Sequence, residues 1–128
     1  MSQYSSTRYL WQSTSGVTPL TTNSSTTIVA AATSTDYNGN TIKQCNYLTD
    51  LVLSNTSTTT GTAVSILDGS NIVYTVYAPN VPSGTQVAPV IINLSTPVKS
   101  SQGNALSLKC NTTGASIYWS ASGFTAGV

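Results

Sequence analysis

Along most of the chain apolar residues return at every second position, the period that sends successive side chains to opposite faces of an extended strand. Leu51 and Leu53, Val64 and Ile66, Ile72 with Tyr74 and Val76, Val90 with Ile92 and Leu94, Leu106 with Leu108 and Cys110, and Ile117 with Trp119 and Ala121 form apolar sets. Their sequence neighbours Ser65, Thr75, Asn93, Ser107, Ser120 and Ser122 fall on the opposite, outward side. The runs that carry this pattern are Thr26–Ala32, Cys45–Asn55, Thr62–Gly69, Ile72–Ala78, Gln86–Ser95, Asn104–Asn111 and Ala115–Ser122. Asp68-Gly69-Ser70-Asn71 reads as a hairpin turn, "DYNGN" (Asp36–Asn40) as a turn-rich loop, and "PNVPSGT" (Pro79–Thr85) as a loop. Pro89 marks its run as an edge strand or a bulge.

Short strands with one apolar face each must bury those faces against one another, which predicts an all-β chain built as a two-sheet antiparallel β-sandwich. A Greek-key jelly roll is the leading architecture and an immunoglobulin-like sandwich the second. Residues 1–25 differ from the rest, being polar and rich in Ser and Thr with one aromatic cluster, "RYLW" (Arg8–Trp11). They read as an N-terminal arm or a peripheral strand, with the sandwich domain occupying 26–128. In the first case the cluster lies across a neighbouring subunit; in the second, Leu10 and Trp11 pack into the domain's own core.

Composition narrows the function. The 128 residues suffice for one domain with a real core. Charged residues make up 5% of the chain, against roughly 25% in ordinary soluble domains. Ser and Thr together are about a third of it. The net charge of +1 gives no basic stripe for nucleic acid and no polybasic contact for a membrane. No apolar run approaches the roughly 20 residues of a membrane-spanning helix. The N-terminus lacks the order of a secretory signal, so the expectation is a protein made without such export. Cys45 and Cys110 then read as two reduced, partly buried thiols.

Candidate chemistry is sparse. With no His, no Ser or Cys has an imidazole to activate it, and with no Glu and three scattered Asp a catalytic carboxylate pair is not expected. Asp68 in its hairpin turn is expected to bond nearby backbone amides, and Asp50 to face outward. Two cysteines alone do not make a zinc site, and "DYNGN" brings one carboxylate, too few for calcium. The expectation is therefore a non-enzymatic protein without cofactor or metal. Asn23, Asn55, Asn93 and Asn111 begin glycosylation sequons, matches that so much Ser and Thr produces by chance. Tyr77 and Tyr118 fall on outward positions, where Tyr brings large contact area at low entropic cost. With Tyr4, Arg8, Tyr9, Leu10 and Trp11 of the N-terminal segment they form the candidate protein-interface set.

From Tyr47 onward a strand "YLTDLVLSNTS" is followed by "VSILDG", then "PVKSSQGNALSLK" and a closing "GASIYWSASGF". Over residues 45–125 this resembles small jelly-roll capsid decoration, or cement, proteins of tailed bacteriophages. The resemblance implies a virion structural protein, made in the host bacterial cytoplasm, that binds the major capsid protein on the head exterior. It further implies self-association as a homodimer or homotrimer and a role in reinforcing the shell. The alternative is a receptor- or glycan-binding module of a phage head or tail fibre.

Overall fold

The computed structural model describes residues 8–127, and Tyr4 lies outside that range. The chain is all-β: no helix occurs among the described residues. Its strands are β1 (Tyr9–Thr14), β2 (Ser25–Val29), β3 (Thr33–Thr35), β4 (Thr41–Lys43), β5 (Cys45–Asn55), β6 (Thr62–Asp68), β7 (Asn71–Ala78), β8 (Val90–Lys99), β9 (Leu106–Cys110) and β10 (Ile117–Ala126). One four-stranded sheet, sheet A, has the order β1-β10-β5-β8, and the other, sheet B, the order β2-β9-β6-β7. The β3–β4 hairpin stands apart as a two-stranded ribbon whose turn is "DYNGN".

Every pairing within the sheets is antiparallel, and four of the pairs are nested in sequence. The hairpin β6–β7 is innermost, β5–β8 encloses it, β2–β9 comes next and β1–β10 is outermost. The chain thus runs as one long ribbon doubled back on itself, with alternate layers assigned to opposite sheets. The two sheets face each other across the apolar sets read from the alternation. Leu51, Leu53, Val64, Ile66, Leu106, Leu108, Cys110, Ile117, Trp119 and Ala121 all lie in one buried cluster, with Tyr74, Val76, Val90, Ile92 and Leu94 packed against it. Cys45 and Cys110 are both buried and unpaired thiols.

One alternative is resolved and one expectation changes. Residues 9–14 take the peripheral-strand alternative, since β1 is the rim strand of sheet A, pairing Tyr9–Thr14 with Thr125–Ser120 of β10. Trp11 packs against the core, but Leu10 is 86% exposed, so the cluster is split between two faces. Leu20 adds an isolated bridge to Ile117. The correction is Ile72, expected inward and found 60% exposed. Across β6–β7 the register steps from Ile66↔Tyr74 to Leu67↔Ile72, leaving Val73 as an extra residue on β7. Such a bulge shifts the alternation by one position, and Ile72 turns outward.

Asp68 also departs from expectation. Its carboxylate is nearly buried at the end of β6 and bonds distant groups: Ser101 Oγ donates at 2.7 Å and Asn104 Nδ2 at 2.9 Å. Burial raises the carboxyl's pKa, but these bonds and one from the Ser101 backbone outweigh it and hold the pKa below the ordinary carboxylate range. The bonds therefore stabilise the fold at every pH above about 4, the unfolded value, and that contribution fades as pH falls through the lower folded value. Asp68→Ala is expected to lower the unfolding free energy by about 2 kcal/mol at pH 7. Urea titrations at pH 7 and pH 2.5 check this, because the gap between variant and parent must shrink in acid.

Candidate functional site

The exposed Asp50, the half-buried Tyr118 and the N-terminal residues Arg8 and Leu10 all belong to the outer face of sheet A, whose register arranges them in cross-strand rows. The first row is Leu10, Phe124, Tyr47 and Lys99, one residue from each strand of the sheet. Tyr47 and Phe124 stack with ring centres 4.5 Å apart and planes 16° from parallel. The Arg8 guanidinium covers Phe124 at 4.5 Å from its centre, and Lys99 Nζ lies 5.8 Å from that of Tyr47. Cation, ring, ring and cation form one continuous stack. Each cation–ring contact contributes about 0.5–1 kcal/mol at an exposed site. Two of the chain's four cationic side chains are thereby held against rings.

The second row is polar, consisting of Gln12, Ser122, Asp50 and Asn93. The third, Thr14, Ser120, Val52 and Ile91, mixes hydroxyls with apolar groups. Between β1, β10 and β5 these rows enclose a trough of about 510 Å³, lined chiefly by Gln12, Thr14, Asp50, Val52, Ser120 and Ser122. Asp50 is exposed there, and its Oδ2 accepts bonds from Thr49 Oγ1 at 3.1 Å and Ser122 Oγ at 3.4 Å. Thr49 is the bulge residue of β5, where the pairing steps from Leu48↔Gly123 to Asp50↔Ser122. That bulge deepens the local twist and brings β10 close to β5. Beyond the trough Tyr118 pairs with Ser54.

The remaining candidates lie elsewhere. Tyr9 is exposed at the rim of β1, and Trp11 on the same side of that strand packs inward. Tyr77 is on sheet B, 61% exposed, with its hydroxyl against Gly61, where any β-carbon would collide with it. The structure thus brings Arg8, Leu10 and Tyr118 to one face and leaves Tyr77 on another. Sequence reasoning missed Tyr47, Phe124, Lys99 and Gln12 as parts of that face. Outward alternation within β5 and β10 offered the only signal, and the rows themselves depend on register between distant strands.

Other sequence candidates settle into structural work. The Asp36 carboxylate accepts bonds from the backbone N–H of Asn38 and Asn40 at 2.9 and 2.8 Å, which shapes the β3–β4 turn. Asn55 is buried, and its amide donates to the Thr60 and Ala78 carbonyls while its oxygen accepts from Ser57 and Ser116. A side chain so committed cannot accept a glycan in the folded protein. Among the described residues no three of Cys, Asp, Glu or His come together as a metal-holding group. Comparison of the chain with protein-family models, with curated proteins and with solved structures finds no match to any of them.

Proposed function

We propose that this chain is a jelly-roll virion structural protein, a capsid decoration or cement protein that docks on the exterior of a phage head through the outer face of sheet A. The jelly-roll reading is supported by the nested pairing, in which the outermost and innermost pairs of the doubled ribbon fall in different sheets. The docking reading is carried by one observation, the character of that face. It is a four-stranded surface on which hydroxyls and amides alternate with apolar groups; among the described residues Asp50 is its one carboxylate, and its cations Arg8 and Lys99 lie against the Phe124 and Tyr47 rings. Hydroxyls and amides exchange water for protein partners at small desolvation cost, whereas buried Lys or Glu would be costly. Near-neutrality also lets many copies crowd one particle without repulsion. The major capsid protein is the proposed partner, and the fold scaffold itself takes no part in chemistry.

The experiment is co-sedimentation with heads of the parent phage stripped of this protein. Gln12→Arg with Ser120→Arg is expected to abolish binding while changing stability by less than about 0.5 kcal/mol, since both positions are exposed. Full binding by that double variant excludes this face as the docking surface.

A second reading is favoured by the trough. Gln12, Asp50 and Ser120 converge on a concave site where a carboxylate and an amide can grip sugar hydroxyls. A glycan array probed with the isolated protein separates the two readings. Binding that disappears in Asp50→Ala, together with indifference to stripped heads, favours the sugar.

A further inference from the structure

A strand at the rim of a sheet carries a row of N–H and C=O groups that another strand can pair, and proteins usually blunt such rims with Lys, Pro or short length. Three of the four rims here are managed or adjoin other chain. β2 has only five residues. β8 contains Pro97 and Lys99, and its pairing with β5 skips from Asn93 to Val98. β1 follows Arg8 and adjoins residues outside the described range. β7, "NIVYTVYA", is eight residues long and contains neither a charge nor a proline. Among the described residues its strand pairing is with β6 alone, and no further backbone bond reaches residues 71–77. Ile72, Val73 and Tyr77 stand beside this rim at 60%, 43% and 61% exposure.

We propose that a second copy of this chain pairs along that rim, β7 antiparallel to β7 about a two-fold axis, so that the two sheets B become one continuous sheet. The bulge at Val73 confines regular pairing to Tyr74–Ala78, which places Thr75–Tyr77 at the axis. A second copy is the occupant because the pairing is isologous: each rim meets its own equal, and an antiparallel two-fold pair satisfies both rows of backbone groups. Charge supports it as well. β7 carries none, the whole chain carries +1, and Asp68, the nearest acid in sequence, is nearly buried beneath Ser101 and Asn104. The strand is already held extended by β6, so pairing orders no new segment. Apolar surface of Tyr77, which is 61% exposed, then loses water across the junction. The pairing leaves the outer face of sheet A free and does not depend on what that face binds.

Sedimentation velocity on the purified chain tests it, and a dimer whose fraction rises with concentration is expected. Thr75→Lys with Tyr77→Lys sets like charges across the axis and is expected to raise the dissociation constant at least a hundredfold with an unchanged circular dichroism spectrum. Ile91→Lys, on the outer face of sheet A, is expected to leave the dimer intact. An equal mixture of Thr75→Cys and Tyr77→Cys chains is expected to give a disulfide-linked dimer on mild oxidation, because position 75 of one copy lies opposite position 77 of the other and the native thiols Cys45 and Cys110 are buried. A chain that stays monomeric to about 1 mM overturns the proposal. So does a dimer that survives the double lysine variant, or one in which the mixed Thr75→Cys and Tyr77→Cys chains fail to cross-link.

Discussion

Gly123→Ala is expected to cost on the order of 4 kcal/mol and to leave little folded protein at 37 °C. A β-carbon at this position would overlap the Tyr47 carbonyl oxygen and stand 2.7 Å from Cζ2 of Trp11. The oxygen is backbone, so no rotamer change can clear it. Gly123 follows the step in register that the Thr49 bulge creates between β10 and β5. β10 runs between β1 and β5, so displacing it disturbs both pairings. Overpacking in cores costs about 1–3 kcal/mol where neighbours can yield, and here the strand itself must move. Chemical denaturation followed by tryptophan fluorescence measures the loss. Ser120→Ala, three residues away on the exposed face, serves as the reference and is expected to stay within about 0.5 kcal/mol of the parent.

Asn46→Leu is expected to be comparably severe, about 4 kcal/mol, although it replaces a polar core residue by an apolar one of similar size. Asn46 is fully buried near the start of β5. Its Nδ2 donates to the carbonyls of Ala30 at 2.9 Å and Asn104 at 3.1 Å, and its Oδ1 accepts from Thr125 Oγ1 at 2.6 Å. One amide therefore ties β5 to β10 and to the segments that flank β2 and β9. Leucine leaves all three partners without a bond, and each orphan costs about 1–3 kcal/mol. Asn46→Asp separates polarity from bonding, since a carboxylate keeps the shape but cannot donate to the two carbonyls. It is expected to be at least as destabilising at pH 7 and to recover in part as acid protonates it. Urea midpoints at pH 7 and pH 4 check both variants.

The contrast between these residues and the alternating apolar sets shows what a chain of this kind discloses before it folds. Burial on one face of a strand imposes period two, so the ends of β5 at Cys45 and Asn55, and the inward Leu51, Leu53, Leu106 and Leu108, were legible directly. A bulge leaves no such trace. Nothing local at Val73 announces the extra residue, so Ile72 was read on the wrong face. The short β3 and β4 also escaped, because three-residue strands flanking a turn are too brief to establish a period. Asn46 offered no cue, since its partners lie 16, 58 and 79 residues away. The site suffered most from the same cause. Phe124, Tyr47 and Lys99 become one row only through two independent long-range registers. Arg8 was singled out for its chemistry, but its seat on Phe124 was not readable.

The nesting of the strand pairs has a consequence for biosynthesis. β10 occupies an inner position of sheet A, bonded on one side to β1 and on the other to β5. Until residue 126 has emerged from the ribosome, Leu51, Leu53 and Trp11 face a gap where that strand belongs, and the half-built protein exposes the surface it is designed to hide. The sandwich therefore closes only once β10 has been made, and its folding is governed by slow closure between remote segments. During that interval nascent copies are open to one another's strands, and a chaperone that shields them would raise the yield of folded chains.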